Sequence, residues 1–140
     1  MIRRSRTNKL VVGSGDIFEN NGAVADASIT VSAESTNVRT IAIQLKKADG
    51  TDIAVRQAVH LALLLDANGD AFAATGGSTG IAIGADGALL PIVAKKMWLA
   101  ISEADGDIDL TWTDTGTEVA YLAVILPSGK MIISAALTNA

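Results

Sequence analysis

Four turn dipeptides, Asp49-Gly50, Asn68-Gly69, Asp86-Gly87 and Asp105-Gly106, punctuate the chain at intervals of about 18 to 19 residues. Each tolerates the positive φ that a tight turn demands, because glycine has no Cβ and Asn or Asp accepts the left-handed region. The interval matches roughly two strands of five to six residues with their turns. Gly116 and Ser128-Gly129 add two more turn signals, and Arg56-Gln57, Gly76 to Gly80 and Lys95-Lys96 break the chain in between. A chain that turns, crosses and turns again at this rate yields about 8–10 short strands, the pattern of an antiparallel β-sandwich or jelly roll. The likeness of the Ala-Asp-Gly and Asp-Ala-Asn-Gly segments is turn chemistry and not a solenoid repeat.

Between the turns the hydrophobic period is two. Ser28 to Ala33 alternates polar and apolar, and Val38 to Lys46 sets Ile41, Ile43 and Leu45 against Thr40, Ala42 and Gln44. Each is the signature of a strand with one face on a core. Ala58 to Leu65 is apolar almost throughout, which predicts a strand covered on both faces. Apolar spacing of three and four with helix caps is absent, so the expected class is all-β. Pro91 predicts an edge strand or a bulge, since proline cannot donate to a ladder. Trp98, Trp112 and Tyr121 fall in three successive expected strands among Met97, Leu99, Leu110 and Leu122. Those surroundings favour core packing over a stacking platform for single-stranded nucleic acid or sugar.

Residues 1–27 read differently. They are rich in Gly, Asn, Ser and Thr, with one apolar patch at Leu10 to Val12 and the aromatic Phe18. The expected organisation is an extended N-terminal arm over 1–27 and one sandwich domain over 28–140. The net charge of −4 divides along the same line. Residues 1–9 carry four bases and no acid, a charge of +4, and the remainder carries seven bases and fifteen acids, a charge of −8. A basic tip on an acidic body suggests a tether that orders on a neighbouring subunit; a solvated terminus or a contact with packaged nucleic acid are the other readings. The acidic body argues against nucleic-acid binding through the domain.

Composition adds a constraint on the surface. Hydrophobic residues make up 49% of the chain and charged residues 19%, with a mean hydropathy of +0.37. A domain of 140 residues has much surface and here few charges to cover it. Part of the apolar surface is therefore expected to be buried against a partner. With no cysteine, neither disulfides nor thiolate chemistry are available. The apolar runs are a strand long, far short of the roughly 20 residues of a membrane helix, and the basic N-terminus lacks the apolar stretch of a secretory signal.

Candidate chemistry is sparse. Glu103, Asp105, Asp107 and Asp109 alternate along an acidic run that invites a calcium reading, but the sixth position, where an EF-hand loop needs glycine, is Ile108. The expected structure is a turn with carboxylates on a solvated face, and the same holds for Asp66 to Asp70. His60, the single histidine, faces away from Val59, Leu61 and Leu63. It is expected to be a partly buried or interface residue bonded to backbone, because it has no Cys or second His for a metal. Gly76 to Gly80 lacks the lysine and helix of a phosphate loop and reads as a flexible connection. No catalytic residue, cofactor or metal is expected, and the chain does not read as an enzyme.

The stretch from Val38 to Asp70, then Gly80 to Trp112 and Ala120 to Ala140, resembles small virion structural proteins of tailed bacteriophages, most nearly the capsid cement (decoration) proteins of short-tailed phages. The resemblance lies in turns and strand cores across about the last hundred residues, so it implies a role without a site. It implies a jelly-roll-like fold, a homodimer, and binding to the major capsid protein on the capsid exterior after synthesis in the host cytoplasm. No membrane partner and no direct nucleic-acid partner are implied. On that reading Arg3, Arg4, Arg6, Lys9, Leu10 and Val11 form the clamp, and edge strands form the dimer surface. A phage tail or fibre component, or a receptor-binding β-sandwich, is the alternative.

Overall fold

The computed structural model describes residues 23–139 together with the backbone of Arg3–Arg4 (β1) and Leu10–Val11 (β2), which pair antiparallel. Ten further strands follow: β3 (Asp26–Val31), β4 (Val38–Lys46), β5 (Ala58–Leu64), β6 (Gly80–Ile83), β7 (Ala88–Val93), β8 (Met97–Ile101), β9 (Asp107–Thr113), β10 (Val119–Ile125), β11 (Met131–Ile133) and β12 (Leu137–Thr138). Among the described residues there is no helix. The strands form two antiparallel sheets, β3-β4-β9-β6 and β11-β10-β5-β8-β7, with β12 continuing beside β10 where β11 leaves off. The expected all-β sandwich is the observed one.

Period-two alternation explains the core. Ile41, Ile43 and Leu45 of β4 and Ile108, Leu110 and Trp112 of β9 point inward from the smaller sheet. They meet Val59, Leu61 and Leu63 of β5, Ala120, Leu122 and Val124 of β10, and Trp98 and Ala100 of β8. Both tryptophans are core residues, as their neighbours predict. Tyr121 is not: it lies opposite Leu64 on the outer face of the larger sheet, because it is one residue out of phase with Ala120 and Leu122.

The nesting of the pairs is jelly-roll-like. β4 pairs with β9 and β5 pairs with β8, as if one long hairpin were folded over so that its two layers became two sheets. Pro91 sits on the edge strand β7, where the register shifts between Pro91 and Val93, so edge and bulge coincide. The four regularly spaced dipeptides have their glycines at φ of 87°, 81°, 99° and 82°. They do not join neighbouring strands of one sheet, although Asp49-Gly50 and Asn68-Gly69 close local antiparallel turns in which Lys46 faces Asp52 and Leu64 faces Phe72. Asp49-Gly50, Asn68-Gly69, Asp86-Gly87 and Asp105-Gly106 all lie in connections that carry the chain from one sheet to the other. The true hairpins, β3–β4, β7–β8 and β10–β11, turn through Thr36 and Asn37, Lys95, and Gly129. Turn chemistry specifies a positive φ and leaves open which sheet receives the next strand.

One end of the sandwich is closed by its last residues. Asn139 Nδ2 donates to the carbonyls of Asn37 and Asp114, and Arg39 Nε donates to Thr138 O at 2.7 Å. Where β11 gives way to β12, the Ser134 hydroxyl accepts from Leu122 N–H and donates to Ala135 O, so the broken ladder leaves no orphaned donor there.

Candidate functional site

The two outer faces of the sandwich differ in kind. On the smaller sheet the outward positions are mostly polar, as expected of a solvated face: Ser28, Thr30, Thr40, Gln44, Asp107, Asp109 and Thr111, with Ala42 and Ala82 among them. On the larger sheet, cross-strand partners share a face, and two outward rows can be followed strand by strand. One runs Met131, Ile125, His60, Leu99, Leu90; the next runs Ile133, Ala123, Ala62, Met97, Val93. Neither row contains a charged residue apart from the titratable His60. Antiparallel sheets that face water alternate apolar with polar, and this face does not.

Relief on the face follows residue size. Ala62 and Ala123 form a low centre, already buried with Leu64 under the connection that follows β5. Gly69 of that connection reaches Met131 and Ile133, and Phe72 pairs with Leu64, so the loop curls over the sheet. The result is a depression of about 250 Å³ lined by Ala62, Leu64, Phe72, Met97, Ile125 and Met131, with the acidic Asp70 of the loop also on its wall. The flank at β7 stands proud: Leu90 is 55% exposed and Ile92 54%. His60 is exposed rather than partly buried, with Ile125 and Leu99 beside it in register. The strand read as covered on both faces is covered only over its second half, at Ala62 and Leu64.

The acidic run does gather carboxylates, but with a member that sequence spacing missed. Asp86, Asp107 and Asp109 each bring a carboxylate oxygen within 4.8 Å of the others. Alternation places Asp107 and Asp109 on one face of β9, and the turn before β7 folds against them, with Asp109 N–H donating to Asp86 O at 2.9 Å. Neither Asp66 nor Asp70 joins the group. Burial first, then the charges of Asp109 and Asp105, hold both the Asp86 and the Asp107 carboxyls above the ordinary aspartate value. Three carboxylate oxygens suit a hard divalent cation by type, yet fall short of the six to eight ligands calcium takes. As it stands the trio is a point of like-charge crowding. Asp86→Asn should therefore raise the melting temperature at pH 7 slightly. The sign follows from the raised values: the folded form takes up protons before the unfolded one as pH falls, so the gain should vanish at and below the ordinary value of 3.8. An Asp86→Asn melting temperature below wild type at pH 7 would count against crowding.

The glycine-rich connection is pinned, not flexible. Glu118 accepts from Thr75 N–H, Thr75 Oγ1 and Gly77 N–H, at 2.8, 2.6 and 2.7 Å. Asp114 accepts from Ser78 N–H, Lys95 Nζ donates to the carbonyls of Gly77 and Ser78, and Lys96 Nζ donates to those of Ala73 and Ala74. These groups come from the β9–β10 connection and the β7–β8 turn, distant in sequence, which is why the segment alone reads as loose. Burial pushes the Glu118 carboxyl up, but the hydrogen bonds from Thr75, Gly77 and Gly76 outweigh it, and the net value lies below the ordinary 4.5. A depressed carboxylate contributes stability that is complete above its unfolded value and is lost as pH falls through the folded one. Glu118→Gln should thus cost about 1–2 kcal/mol at pH 7 and nothing near pH 2, read from urea midpoints across pH. An equal loss at both pH values would show that charge is not the cause.

Of the six residues named as a clamp, Arg6 and Lys9 lie outside the described residues. Only the backbone of Arg3, Arg4, Leu10 and Val11 is described, in the β1–β2 ladder. Among the described residues no helix is long and apolar enough to cross a membrane. The chain matches no known family model, no curated protein and no solved structure.

Proposed function

We propose that this chain is a structural assembly subunit, and specifically a virion protein that cements a phage capsid by binding across major capsid subunits. The observation that carries the assembly reading is the apolar outer face of the larger sheet, whose strand positions carry no Asp, Glu, Lys or Arg and whose one acid, Asp70, comes from the loop that lines its depression. An apolar patch of this extent on a monomer exposes what folding normally removes from water, and marks an interaction surface. The capsid in particular rests on the resemblance of the strand and turn segments to cement proteins. A cement subunit needs no catalytic group. It adds buried area at seams between capsomers, and many symmetric copies make weak contacts count together. The basic N-terminal residues supply a tip of opposite sign to the acidic body, suited to reach an acidic neighbour.

The test is co-sedimentation with empty shells built from the major capsid protein of the same genome. The expected result is saturable binding and a raised shell disruption temperature. Deleting residues 1–9 should lower occupancy and increase its loss with added salt. Absence of shell binding, with the chain found instead on tails of intact particles, would move the role to the tail or fibre component.

A further inference from the structure

We infer that the outer face of the larger sheet is covered by the same face of a second copy of this chain, packed around His60. The inference rests on the assembly reading and names the partner of its apolar face.

Three observations select a second copy. First, an isologous interface must be complementary to itself, and charge is what usually prevents this, because each charged group near the two-fold meets its own image. The rows through His60 and Ala62 carry no Asp, Glu, Lys or Arg to create such a clash. Second, the size fits. Five strands about 4.8 Å apart, three to seven residues long at about 3.3 Å per residue, cover on the order of 440 Å² in projection and more as accessible surface. A stable interface buries about 800 Å² per partner. Third, the opposite outer face carries Asp107 and Asp109 and belongs in water, so pairing through the larger sheet turns both acidic faces outward.

The test is sedimentation equilibrium of the full chain with its variants. Wild type should be a dimer at about 10 μM and pH 8, a modest demand for an interface of this size. Leu99→Asp and Leu90→Lys should each raise the dissociation constant at least about a hundredfold, while Thr111→Asp on the polar face leaves it unchanged. Circular dichroism matching wild type would show that the variants fold, and Leu90, more than half exposed, guards against misfolding at Leu99. A wild-type monomer, or a dimer untouched by Leu90→Lys, overturns the inference. Shell binding separates the two ideas: a monomer that loses shell binding through Leu99→Asp keeps the assembly role and gives this face to the shell. A dimer through this face that binds no shell does the reverse.

Discussion

Replacing Trp112 by alanine should lower the unfolding free energy by about 3–5 kcal/mol, the largest loss expected from any single core truncation here. Trp112 is fully buried on β9, between Arg39 of β4 and Ile81 of β6 in register. Its indole N–H faces Gly76 O at 3.3 Å, and its ring backs the pinned connection at Gly77. Truncation therefore removes apolar contact, empties a volume that a two-sheet core cannot easily close, and strips a donor from a buried carbonyl. Small domains hold about 5–15 kcal/mol in total, so the variant should unfold at a far lower urea concentration or fail to accumulate. Trp112→Phe keeps most of the ring and should recover more than half of the loss. If alanine shifted the midpoint by less than about 1 kcal/mol, the enclosure of this residue would be refuted.

Gly76→Ala should cost about 3 kcal/mol or more, although it adds one methyl group to a connection between strands. Gly76 has a φ of 87°, outside the range an L-residue holds without strain, and a Cβ there would stand 2.4 Å from Lys95 O. That carbonyl belongs to the β7–β8 hairpin, whose Lys95 is itself at positive φ and whose ammonium holds Gly77 and Ser78. Neither side can yield without loosening the other. Gly50→Ala is the control: its φ is also 87°, but nothing lies within 4 Å of its Cβ position. It should show the backbone cost alone, about 1–2 kcal/mol. Equal losses at Gly50 and Gly76 would mean that the close approach to Lys95 contributes nothing.

The same contrast explains what could be read from residue order. Glycines that need positive φ announced themselves at Gly50, Gly69, Gly87 and Gly106, since that need is local. The approach of Lys95 to Gly76, or of Asp86 to Asp107 and Asp109, is a product of tertiary folding and leaves no mark in spacing. Alternation gave the inward faces of β3, β4 and β9 correctly. In β5, β7, β8 and β10 both faces are apolar, a signal visible at Ala58 to Leu65 and taken there as burial on two sides. What period cannot reveal is that these four strands are neighbours in one sheet, so that their surplus apolar residues add to a single surface. Tyr121 faces outward for the same reason: between Ala120 and Leu122, in a strand apolar on both faces, it has no phase to read.

The fastening of Asn139 to Asn37, 102 positions earlier, has a kinetic side. β4 finds β9, and β5 finds β8 and β10, only across long intervening segments, so little of the native pairing is local. Loop closure of this kind precedes the reward of contact, and sandwiches of such topology fold in milliseconds to seconds rather than microseconds. On a translating ribosome the two sheets cannot be locked together until residue 139 has cleared the exit tunnel. Until then the β5 and β10 segments, apolar on both faces, are exposed together, and the nascent chain is at its most adhesive in that interval.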